Sequence, residues 1–200
     1  MEERNEPIEA LPLITKRRIL GIIIPIINVP FFAITAYQIA LLILAGTPLS
    51  SEDLISSAIA LVSILGIGFV LPWWTPIYPS SYTLEVEGLR IKRFMRGRVS
   101  MLYKDIARAE VYIREPGEIA EDAINYTREA SERLRKLGFS FVDFTNSEAN
   151  IVLLLSGRKI YMISPAKPKA FLKSLKRRAP KLTARIVELN MEGKKIQELE

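Results

Sequence analysis

Two long apolar runs come first along the chain. No charged residue occurs between 19 and 51 or between 54 and 84, and only Glu52 and Asp53 separate these stretches. About 20 apolar residues cross the roughly 30 Å of bilayer hydrocarbon. The pattern therefore predicts one transmembrane helix over 19–46 and a second over 54–77, joined by an external loop at 47–53. Neither run shows the polar face that a helix of a soluble core carries. The first is too long for a signal-peptide core and has no small-residue cleavage pattern behind it. Pro25 and Pro30 are expected to kink the first helix. Asn28 and Gln38 are candidates for bonds between helices, and Ser56, Ser57, Ser63, Gly66 and Gly68 would let the second helix approach closely.

Beyond residue 80 the period changes to two. Tyr82–Glu87 and Leu89–Phe94 alternate apolar and polar around the turn Glu87-Gly88. Val99, Met101 and Tyr103 line one face of a third strand. In a fourth, Ala107, Ala109, Val111 and Ile113 face one way, and Arg108, Glu110, Tyr112 and Arg114 the other. Up to here the pattern is that of an antiparallel meander. Pro116-Gly117 ends it, and Glu118–Leu137 repeats at helical spacing with Gly138 as the cap beyond its end. Strands return at Phe139–Phe144, Ile151–Leu155 and Ile160–Ile163, the last two around Ser156-Gly157-Arg158. Pro168 opens a helix that presents Phe171, Leu172 and Leu175 on one side, and Pro180 stops it. Leu182, Ile186, Leu189, Ile196 and Leu199 predict a helical tail over 179–200.

Charge gives orientation. Residues 1–18 are balanced, whereas residues 85–200 hold 24 basic and 16 acidic residues. Lys16, Arg17 and Arg18 abut the first span, the loop 47–53 has no Lys or Arg, and the basic part follows the second span. Positive-inside logic puts segment 1–18 and the C-terminal part in the cytoplasm of a multi-pass protein of the cell membrane. Trp73, Trp74 and Tyr78 stand where an interfacial aromatic belt is expected, so with Lys16, Arg17 and Arg18 they are candidate membrane anchors. Two Gln and no Cys fit a thermophilic source.

Seven strands followed by an amphipathic helix resemble the prokaryotic pleckstrin-homology-like domains that follow transmembrane helices. Three places carry the resemblance. Tyr82–Ile91 resembles the family's opening hairpin, and Met101–Ile106 its step into the fourth strand. Gly157–Pro165 followed by Pro168–Leu175 resembles its last strand feeding a helix that begins with Pro and carries Phe-Leu. The match covers about residues 80–178, with 116–138 as a helical insertion. The implied architecture is a membrane α-hairpin plus an α+β domain, a seven-stranded antiparallel β roll capped by a C-terminal helix.

Chemistry is sparse. Without Cys or His there is no disulfide, thiol nucleophile, Cys/His metal site or imidazole acid–base group. No nucleophile elbow, phosphate loop, zinc motif or calcium loop occurs. Asp105 and Asp143 read as turn-capping carboxylates. No enzyme, cofactor or metal is expected. Arg90, Lys92, Arg93, Arg96 and Arg98 put five cations in nine residues. Basic residues around the first hairpin of eukaryotic pleckstrin-homology domains bind phosphoinositide headgroups, but here the first turn is short and acidic, which argues against a deep pocket. Diffuse contact with anionic lipid, a protein or other anionic partner, and an ordinary solvated face are the readings of this cluster. The 118–137 helix and the tail are candidates for docking a protein partner or a second copy. Nucleic acid is not expected, because no aromatic residues interleave with the basic run Lys167–Lys181. The resulting expectation is a membrane-anchored interaction or assembly platform. The alternative is a subunit of an oligomeric pore or transporter whose cytoplasmic domain assembles or gates the spans.

Overall fold

The computed structural model describes residues 5–94, 96–114, 132, 134–147, 150–190 and 193–199. They form two units, each described by itself: residues 13–78, and a sheet unit of residues 79–200 together with the N-terminal segment up to Pro12.

The first unit is helical. α1 (Thr15–Leu44) runs for 30 residues through both prolines. At about 1.5 Å per residue it is about 45 Å long. Its flanks are apolar and exposed, among them Ile26, Val29 and Phe31, and it is long and apolar enough to cross a membrane. Gly46, at φ 72°, ends the turn after it. α2 (Glu52–Leu65) starts on Ser51, whose side chain accepts from the Leu54 amide, with Glu52 and Asp53 in the positive first turn.

The second predicted span departs from expectation. Among the described residues α1 is the one helix that passes the length and apolarity test. Residues 54–77 are helical in pieces: α2 has 14 residues, a π-helical turn follows at Gly66–Val70, and α3 (Leu71–Trp74) closes the run. Fourteen residues of α-helix rise about 21 Å, and the π turn and α3 carry the helical run on to Trp74. The cause lies in the sequence: Pro72 has no N–H to return to the preceding turn, and Gly66 and Gly68 hold helical register weakly. Asn28, expected to bond between helices, and Ser63, expected to allow close approach, each bond within their own helix. Asn28 donates to the Ile24 carbonyl at 2.8 Å and Ser63 to that of Ile59 at 2.9 Å. The close approach does occur at Gly68, where a Cβ would lie 3.6 Å from Asn28.

Among the described residues the sheet unit has two sheets. The first is ordered β1 (Glu6–Ile8), β2 (Ser80–Leu84), β3 (Gly88–Arg93), β4 (Gly97–Leu102), all antiparallel. A 3₁₀ turn at Tyr103–Asp105 then leads into β5 (Ile106–Arg114) of the second sheet. That sheet also holds β6 (Ser140–Asp143), β7 (Asn150–Ser156), β8 (Lys159–Ile163), β9 (Thr183–Asn190) and β10 (Gly193–Leu199), in the order β10-β9-β5-β7-β8-β6. α4 (Pro168–Arg178) begins with Pro at its first turn and ends with Lys176, Arg177 and Arg178, which suit the negative end of its dipole. Tyr82, Leu84, Leu89, Ile91 and Met101 of the first sheet, Val111, Val152, Leu154 and Ile163 of the second, and Phe171, Leu172 and Leu175 of α4 share one core.

The seven-stranded antiparallel roll is therefore corrected to sheets of four and six strands. The seven expected strands are β2 to β8. β1, β9 and β10 are additional, and the β5–β9 and β6–β8 pairs are parallel. The tail over 179–200 is a β-hairpin, not a helix. Leu182, Ala184 and Ile186 are buried at period two, and they cover the edge of β5 that would otherwise be left open. Within the N-terminal segment, Glu6–Ile8 pair with β2. The predicted helix over 118–137 lies largely outside the described residues. Its end is seen: Gly138 has φ 83°, its amide bonds to Arg135 and that of Phe139 to Leu134, a Schellman cap.

Candidate functional site: the basic hairpin and its support

The β3–β4 hairpin carries the five cations, and the alternation of the strand sorts them. On β3, Leu89, Ile91 and Arg93 face inward and are buried, which sends Arg90 and Lys92 to the other face. Cross-strand register then sets Lys92 opposite Arg98 and Arg90 opposite Ser100 on β4, with Ser81 and Thr83 of β2 beside them.

The cations do not form one cluster. Arg93 is 2% exposed and serves the fold. Its Nε donates to Ser80 Oγ at 2.8 Å, one Nη to the Asp143 carbonyl at 2.8 Å and the other to the Thr145 carbonyl at 3.2 Å. Its guanidinium lies 5.2 Å from the centre of the Phe144 ring. Arg96 reaches the same carbonyl of Asp143 at 2.9 Å and stacks 5.0 Å from the same ring. Arg90 pairs with Glu85 at 2.5 Å. Lys92 and Arg98 remain exposed, and among the described residues neither has an ion pair. Like charges directly opposite across strands repel, so this pair raises the local affinity for an anion. At the tip of the same hairpin Phe94 is 66% exposed. The alternating pattern does not single Phe94 out; the signal is an aromatic residue standing one place beyond the strand end.

The β2–β3 turn is closely braced. The Glu85 carbonyl accepts from the Tyr103 hydroxyl at 2.6 Å and from Arg178 at 3.1 Å, and its carboxylate holds Arg90. Gly88 is packed so closely that a Cβ would fall 2.2 Å from the Met101 carbonyl.

Behind the hairpin lies a buried polar hub that the sequence pattern did not single out. Asp143 caps its own turn, its carboxylate accepting from the Thr145 amide and hydroxyl at 2.7 Å. Asn146, 2% exposed, accepts from the Ser80 amide at 2.7 Å and donates to the carbonyls of Ser80 at 3.0 Å and Leu11 at 2.9 Å. One amide side chain thus ties together the strand segments that precede and follow the helical stretch. Ser164 Oγ accepts from the Asn146 amide at 2.7 Å. The Tyr82 hydroxyl donates to the Phe144 carbonyl at 2.7 Å and accepts from the Ser164 amide at 3.1 Å. Burial pushes the Tyr82 phenol above its ordinary value.

Of the expected membrane anchors, Lys16, Arg17 and Arg18 occupy the first turn of α1, with Lys16 and Arg18 exposed. Trp73 and Trp74 close α3, with Trp73 56% exposed, and Tyr78 is half-buried after it. Among the described residues no group of His, Cys, Asp or Glu could hold a metal.

Residues 80–179, half of the chain, match the profile of the family described as Bacterial PH domain. No curated protein and no solved structure matches the chain.

Proposed function

The chain belongs to the bacterial PH domain family, and we propose that it is a membrane-anchored interaction module whose exposed basic face contacts anionic lipid headgroups. The observation that carries this reading is the Lys92–Arg98 pair: two like charges set opposite each other on an exposed sheet face, with no ion partner among the described residues. Arg90 and Phe94 flank the pair. An aromatic ring beside cations suits the headgroup level of a bilayer. Arg93 is not part of the contact, because its donors are spent inside the fold.

In this reading α1 is the first span and the helical run 52–74 is the second. Lys16, Arg17 and Arg18 mark the cytoplasmic end, so both termini and the sheet unit face the cytoplasm. The module binds rather than catalyses. Its support is the braced β2–β3 turn, which favours surface attraction over an enclosed headgroup pocket.

The test uses the full chain, since β1 and Leu11 complete the sheet unit. The protein is placed in neutral-lipid nanodiscs and mixed with vesicles of neutral or anionic lipid. Binding to anionic vesicles, lost at high salt, is expected. Each surface cation is worth about 1 kcal/mol near an anionic leaflet. Lys92→Gln with Arg98→Gln should therefore weaken binding roughly 30-fold. Equal binding to neutral vesicles, or no loss in the double variant, would overturn the reading.

A further inference from the structure

The family match ends at residue 179, and β9 and β10 lie beyond it. β9 joins the sheet parallel to β5, and β10 joins antiparallel to β9. β10 is therefore an outermost strand, and among the described residues no strand pairs with its other side. Such an edge presents a row of unpaired N–H and C=O groups. Of the three other outermost strands, β4 has six residues and two are blunted. β1 has three residues with Pro7 in the middle, which has no N–H, and β6 has only four. β10 runs for seven residues without a proline.

The sequence of β10 is self-complementary. In Lys194-Lys195-Ile196-Gln197-Glu198 the charges reverse about Ile196. An antiparallel partner of the same sequence, related by a two-fold axis at Ile196, sets Lys194 opposite Glu198, Lys195 opposite Gln197 and Ile196 opposite Ile196. A parallel in-register partner sets lysine against lysine, which is repulsive. Ile196 is 54% exposed. The Glu198 carboxylate holds Arg185 at 2.5 Å yet is 61% exposed, and a carboxylate has room for a second donor.

We propose that β10 is a self-association edge: two copies of this chain pair antiparallel about Ile196, so that two six-stranded sheets become one of twelve strands. One strand pair buries little surface, so the contact is weak in dilute solution and forms where copies are concentrated. The lysines, which protect an edge against indiscriminate pairing, select this register instead of abolishing pairing.

The chain has no cysteine, so single cysteines report without background. The full chain is placed in neutral-lipid vesicles carrying Lys195→Cys, Ile196→Cys, Gln197→Cys or Glu198→Cys, and disulfide formation is followed under mild oxidation. In the proposed register the Cα atoms of paired residues 196 lie about 5 Å apart, within disulfide reach. Those of 195 or 197 lie about 8 Å from their copies, and those of 198 about 14 Å. Ile196→Cys is expected to cross-link at least tenfold faster than the others. Adding Lys194→Glu should slow it, and mixing Lys194→Glu chains with Glu198→Lys chains should restore a mixed dimer. Equal rates at all four positions, or fast linkage at 196 that ignores Lys194→Glu, would overturn the proposal.

Discussion

Replacing Asn146 by Leu tests how the sheet unit is held closed. The two side chains are similar in size, so the substitution removes polar contacts rather than volume. It deletes three hydrogen bonds and strands the Ser80 amide and the carbonyls of Ser80 and Leu11. Each buried group left without a partner costs about 1–3 kcal/mol, so a loss of about 3–5 kcal/mol is expected. That is a large fraction of the roughly 5–15 kcal/mol that holds a domain together. Two readouts apply to the full chain in mild detergent. Denaturant unfolding, followed by the β-sheet circular dichroism signal, gives the total loss. Hydrogen exchange at the Ser80 amide gives the local one, which should accelerate at least 100-fold, since each tenfold change corresponds to about 1.4 kcal/mol. Asn146→Asp separates the contributions. It keeps an acceptor for the Ser80 amide but offers no N–H to the two carbonyls, so it should be as destabilised at neutral pH. It should recover in part under acid, where the protonated carboxyl can donate. A change within about 0.5 kcal/mol for Asn146→Leu, the range of an ordinary surface substitution, with Ser80 still protected, would refute the hub.

Three further outcomes follow from the same structure. Gly88→Ala drives a Cβ into the Met101 carbonyl and should cost about 2–3 kcal/mol, whereas Gly66→Ala, with nothing within 4 Å, should be nearly neutral when both are followed by denaturant unfolding. Arg93→Lys keeps the charge but replaces a three-way fork and a ring stack by one ammonium, so denaturant unfolding should show a loss of about 2–4 kcal/mol; Arg96→Lys, with one such bond and a stack, should lose about 1 kcal/mol. The Tyr82 phenol is raised by burial, so its contribution is complete below the unfolded value of about 10 and falls as pH climbs from there toward the folded value; subtracting the stability profile of Tyr82→Phe from that of the parent should isolate this alkaline limb, and parallel profiles would contradict it.

The parts of the chain legible in advance were those governed by local periodicity. An uninterrupted apolar stretch becomes α1 whatever surrounds it, because its backbone bonds close within the segment. Alternation from Tyr82 to Ile113 and from Phe139 to Ile163 located β2 to β8, and Pro168 with Phe171, Leu172 and Leu175 located α4. Charge composition located the basic hairpin. What the pattern left open depended on partners distant in sequence. Leu182 to Leu199 fits helical spacing nearly as well as alternation, and the open edge of β5 makes it a hairpin. Glu6–Ile8 is too short to read as a strand until β2, more than 70 residues later, pairs with it. A run of five cations looks uniform in sequence, yet strand parity buries Arg93, register binds Arg90 to Glu85, and a ring from β6's end captures Arg96. Only Lys92 and Arg98 are left facing each other in solvent. Composition thus determined that the surface is basic, and the tertiary fold decided which charges remain available, because burial and pairing are properties of neighbours in space.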